Sequence, residues 1–82
     1  MAAAVNGAKD LRELRAERGL SQRAVAILAD LSQVEVSLLE RGAVTARPDT
    51  VVKLAKALKI DALRMRDILN AAAAAGPDGG AQ

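Results

Sequence analysis

An all-α fold, a compact bundle of five short helices, follows from three features of this 82-residue chain. Apolar residues recur at three- and four-residue spacing in five successive stretches. Residues that open and close helices punctuate those stretches: Ser21, Ser32, Pro48 and Asp61 at the starts, Gly19 and Gly42 at the stops. Phe, Tyr, Trp, His and Cys are all absent, so the core must come from Leu, Val, Ile, Met and Ala. A core of that kind favours close helix–helix packing, and a domain of this size needs it, because small domains bury little surface.

The first helix is expected from about Ala8 to Arg18, with Leu11 and Leu14 inward and Asn6 or Gly7 as its cap. Gly19 would be the left-handed stop. The next two helices share a signature: Leu20-Ser21-Gln22 and Leu31-Ser32-Gln33 each precede an apolar-rich run. Ser21 should cap a helix to about Ala29, and Ser32 one to about Glu40. Ser32-Gln33-Val34-Glu35 also fits a capping box, with Glu35 returning to the Ser32 amide. Asp30 and Leu31 alone separate the two helices, so their axes must cross sharply, as in a helix-turn-helix. A fourth helix spans Pro48 to about Leu58, with Pro at the first position and Asp49 beside the positive helix end. Asp61 caps a fifth containing Ala62, Met65, Ile68 and Leu69, which the alanines after Asn70 can extend. The resulting organisation is a flexible N-terminus at 1–7, a helix-turn-helix domain at 8–70, and an Ala-rich helical extension with a disordered tail at 71–82.

The residue inventory argues against an enzyme. Without His or Cys there is no imidazole base, thiol nucleophile or soft-metal ligand, and nothing to activate a serine. The ten acidic residues are scattered among twelve basic ones, with no calcium-loop spacing and no glycine-rich phosphate loop. No metal or other cofactor is expected. Neither a secretory leader nor an apolar run of the ~18–20 residues that cross a bilayer is evident, so a cytoplasmic protein with no membrane association is expected.

"LRELRAERGLSQRAVAILADLSQVEVSLLERG…TVVKLAKALKI" resembles the helix-turn-helix domain of the lambda-repressor-like and Cro-like regulators, the XRE family. The likeness runs from about Leu11 to Met65. It includes Arg-Gly-Leu-Ser-Gln before the second helix, Glu-Arg-Gly after the third, and Leu-Ala-Lys-Ala-Leu in the fourth. The resemblance implies a sequence-specific DNA-binding transcriptional regulator, of the repressor or Cro kind, whose third helix lies in the major groove. It implies that Gln22 donates to a phosphate and that Gln33 meets a base edge, a phosphate or both. Val34, Glu35, Ser37 and Leu38 fall where the family varies its side chains to read different operators, with Arg41 and Arg47 near the backbone. Ser32, principally a cap, and Arg23 complete the DNA-facing set. Arg15 and Glu40 match a pair that forms an internal salt bridge in the family. A homodimer on double-stranded DNA would follow from the family's habit of reading two-fold operators.

Two features keep another reading open. From Ser21 to Ala46 there are two basic residues, Arg23 and Arg41, against three acidic ones, Asp30, Glu35 and Glu40. DNA affinity rests on neutralising phosphates, and the excess positive charge lies instead between Arg47 and Asn70. Ile27, Leu28, Val34 and Leu38 are also expected to face at least partly outward. Val34 and Leu38 could meet thymine methyl groups; Ile27 and Leu28, with Leu63 and Ile68 on the fifth helix, suggest a protein interface. The alternative is therefore a protein-binding module, or an accessory or antitoxin-like factor, on the same fold with weak DNA affinity.

Overall fold

The computed structural model describes residues 10–75 and is all-helical over them. In order, α1 is Leu11–Glu17, α2 Gln22–Ala29, α3 Gln33–Glu40, α4 Pro48–Leu58 and α5 Ala62–Ala75. Helices α2 and α3 pack on each other; α2 also packs on α4, α4 on α5, α3 on α5, and α1 on α3. One aliphatic core results. Leu11 and Leu14 of α1, Val25, Ala26 and Ala29 of α2, and Val36 and Leu39 of α3 meet the buried faces of α4 and α5. With no ring to accommodate, small Ala26, Ala29 and Ala55 at the contacts let helices approach closely.

The helix starts have separate chemical causes. Asp10 opens α1 with a reciprocal capping box: the Glu13 amide donates to Asp10 Oδ1 (2.8 Å) and the Asp10 amide donates to Glu13 Oε1 (3.2 Å). This corrects the expected start near Ala8; the proposed caps Asn6 and Gly7 lie outside the described residues. Ser21 Oγ accepts from the Ala24 amide and Ser32 Oγ from the Glu35 amide, each at 3.0 Å. Pro48 opens α4, and Arg47 supplies no side-chain cap. Asp61 Oδ2 accepts from the amides of Leu63 (2.9 Å) and Arg64 (3.3 Å).

The first four helices stop in one way. A residue with left-handed backbone follows each: Gly19 (φ 67°), Asp30 (φ 57°), Gly42 (φ 71°) and Lys59 (φ 58°). The next amide then reaches back five residues: Leu20 to Arg15 O, Leu31 to Ala26 O, Ala43 to Leu38 O, and Ile60 to Ala55 O, at 2.8–3.1 Å. This satisfies carbonyls that the helix end would leave without a donor. In three cases the returning residue is a large aliphatic, Leu20, Leu31 or Ile60, packed against the core, and the residue after it caps the next helix. The chain thus repeats a three-residue joint: left-handed residue, aliphatic plug, cap.

Helix α5 continues without a break through the alanines to Ala75. Ile68, expected on an outward seam, is 8% exposed and lies in the core. Met65, Ile68 and Leu69 stand at the three- and four-residue spacing of one inward stripe, while Leu63, on another side of the turn, is 61% exposed.

Candidate nucleic-acid interface

Helix α3 divides into two faces. Val36 and Leu39 are buried in the core, while Gln33 and Val34 are exposed, and Ser37 and Leu38 are half-buried. At about 100° per residue, Gln33, Val34, Ser37, Leu38 and Arg41 share one arc of about 140°. Of the expected contact residues, these five are gathered on a single helix face. Its character is mixed: one amide, one hydroxyl, two aliphatics and one guanidinium. Glu35 falls outside that arc, and its carboxylate is exposed. It makes no return bond to the Ser32 amide, so the expected capping box at α3 is only half formed; Ser32 alone caps the helix.

The N-terminus of α3 is held in place by its neighbours. Ser32 sits in extended backbone, and the helix behind it is anchored by Val36 and Leu39. Helix α2 is joined to α3 through Asp30 and Leu31, the plug Leu31 resting on the core. Asp30, itself 96% exposed at its side chain, lies 3.9 Å from Lys53 of α4. Such an exposed pair contributes little to stability.

At the other end of α3 a part-buried polar cluster ties three helices together. Arg15 of α1 donates from Nε to Glu40 Oε2 (2.6 Å) and from Nη2 to Glu40 Oε1 (3.3 Å). Its Nη1 donates to the Leu20 carbonyl (3.0 Å). Gln22, the first residue of α2, donates from Nε2 to Glu40 Oε1 (2.9 Å). The Glu40 side chain is only 5% exposed and that of Arg15 17%, so desolvation is offset by charge-assisted bonds from two directions. The amide orientation of Gln22 follows from chemistry, since both carboxylate oxygens can only accept. Gln22, expected to donate to a phosphate, is therefore half-buried with one N–H committed inward; a single N–H remains.

The Gln22–Glu40 bond was not foreseen. The residues are 18 apart in the chain, and no local pattern announces the contact. It depends on the angle at which α2 and α3 meet.

Engaging Glu40 changes the charge balance of the helix pair. With it neutralised by Arg15, Arg23 and Arg41 stand against Asp30 and Glu35. Arg23, Arg41 and Arg47 are exposed, and none forms an ion pair with another described residue. On other surfaces Ile27 is 70% and Leu28 58% exposed, and Leu63 borders a groove of about 300 Å³ with Pro48, Val51 and Arg66. Among the described residues no cluster of acidic side chains could hold a metal ion, and no helix is long and apolar enough to cross a membrane.

Two capped helices joined by so short a turn, carried on an all-α body with the second helix half exposed, define a helix-turn-helix domain. The chain belongs to that family: the family model described as a helix-turn-helix domain matches residues 8–68, most of its length. No curated protein and no solved structure matches the chain.

Proposed function

We propose that the protein is a sequence-specific DNA-binding transcriptional regulator of the repressor or Cro kind. Helix α3 enters the major groove, and the capped N-termini of α2 and α3 approach phosphates. The observation that carries this reading is the free arc Gln33, Val34, Ser37, Leu38 and Arg41, opposite the buried Val36 and Leu39. A helix anchored on one side and exposed on the other is the geometry that fits a groove about 12 Å wide.

Within that arc the chemistry assigns roles. Gln33 can pair in bidentate fashion with adenine, Val34 and Leu38 can contact thymine methyl groups, and Arg41 can reach a phosphate. Arg23, Arg47 and the remaining N–H of Gln22 supply further phosphate contacts, beside Ser32 at the helix tip. Glu35 is the discordant member: lying outside the arc and carrying charge, it opposes phosphates unless a cytosine amino group meets it. A homodimer would present two such arcs to a two-fold operator.

Titrating the affinity for duplexes selected from a random pool against salt tests the proposal. Phosphate engagement gives a steep loss of affinity, with a slope of ~0.9 per phosphate neutralised. A flat response, or no binding at ~50 mM salt, overturns it. The exposed Ile27, Leu28 and Leu63 favour a second reading, a protein-binding module or antitoxin-like factor on the same fold. Binding that ignores salt but falls on replacing Ile27 and Leu28 with Ser would select that reading.

A further inference from the structure

We infer that Glu40, whose side chain is almost wholly withdrawn from solvent, is a positioning residue that sets Gln22 for phosphate contact; the inference rests on the DNA-binding reading above. Glu40 Oε1 accepts from Gln22 Nε2 at 2.9 Å, and the same carboxylate is held by Nε and Nη2 of Arg15 at 2.6 and 3.3 Å. A glutamine amide is planar, and its two N–H bonds diverge at a fixed angle. Securing one of them on a carboxylate that Arg15 holds through two further bonds therefore sets the direction of the other.

The anchor is firm from both sides. Arg15 is also bound through Nη1 to the Leu20 carbonyl (3.0 Å), in the joint that leads into α2. Through Arg15, Glu40 is thus tied to Leu20, two residues before Gln22, as well as to Gln22 itself. The ordering of a three-torsion side chain then belongs to folding rather than to binding. Gln33 is the internal control. It has the same position after a serine cap, but it is exposed and makes no side-chain hydrogen bond with a described residue.

The test is a double-mutant cycle on duplex affinity with Gln22→Ala, Glu40→Ala and both, each referred to its folded fraction by circular dichroism. If Glu40 acts through Gln22, each single variant loses about tenfold and the double variant loses no more than either alone. Independent losses that multiply to about a hundredfold, or an unaffected Glu40→Ala, overturn the inference while leaving DNA binding intact. Absence of salt-dependent binding by the unaltered protein instead removes the functional reading, and this inference with it.

Should Glu40→Ala fail to fold, nitrogen-15 relaxation of the side-chain amides in the unaltered protein decides the matter. The chain has only three glutamines, Gln22, Gln33 and Gln82, so assignment is simple. The Gln22 amide should have an order parameter above about 0.6 without DNA, and Gln33 should fall below it. Equal mobility of the two overturns the positioning role.

Discussion

The two Leu-Ser-Gln triplets begin alike and end differently. Ser21 (φ −79°, ψ 166°) and Ser32 (φ −82°, ψ 155°) have nearly the same backbone and make the same 3.0 Å cap. Leu20 and Leu31 both plug the core after a left-handed residue. Yet Gln22 turns inward to Glu40, while Gln33 points into solvent. Local sequence determines the joint, the cap and the helix start. What the following side chain does depends on which helix end lies across from it, a tertiary fact.

Substitutions can break or sharpen that contrast. The largest effect on stability should come from Glu40→Ala, which strands Arg15 and releases Gln22. We expect a loss of about 2–3 kcal/mol in urea unfolding followed by circular dichroism, below the ~3–5 of a fully dry pair because water reaches Arg15. Gln33→Ala should leave stability within about 0.5 kcal/mol but weaken binding to the best operator by about 1–3 kcal/mol in a gel-shift or anisotropy titration. An unchanged affinity would remove Gln33 from the contact set.

The serines should not show the contrast at all. Ser21→Ala and Ser32→Ala should each cost about 1 kcal/mol in thermal or urea unfolding. A difference well beyond that between them would mean that their caps are not equivalent. The smallest effect concerns a joint without a favoured residue. Lys59 occupies left-handed backbone that suits glycine, so Lys59→Gly should stabilise by about 0.5 kcal/mol and raise the melting temperature by a few degrees. Gly19→Ala, at φ 67° with open space around it, should destabilise by about 1 kcal/mol in the same assay.

Much of the fold was legible because its signals are local. Pro48 and Leu58 bound α4, Ser21 and Ser32 cap their helices, Gly19 takes left-handed backbone and Gly42 follows the end of α3, as expected. The start of α1 was misread because Ala8 and Lys9 suit a helix, which obscured the Asp10–Glu13 capping box in "DLRE". Nothing local distinguishes Lys59 as a left-handed residue; the plug Ile60 and the cap Asp61 behind it carry the joint. Ile68 was placed outward although its spacing from Met65 puts it on the buried stripe. At the candidate interface, periodicity suffices to gather Gln33, Val34, Ser37, Leu38 and Arg41 on one face. It could not reveal that Gln22 is half withdrawn from the surface, because that depends on Glu40, on a different helix.

The knot of Arg15, Glu40 and Gln22 also bears on how misfit would be shared. With α1, α2 and α3 joined at one carboxylate, shifting one helix against another would break bonds to it. A stiff reader passes strain to whatever it grips, so the double helix would have to twist or narrow to fit. Preferences would then extend to base pairs that no side chain touches, set by how readily each step deforms.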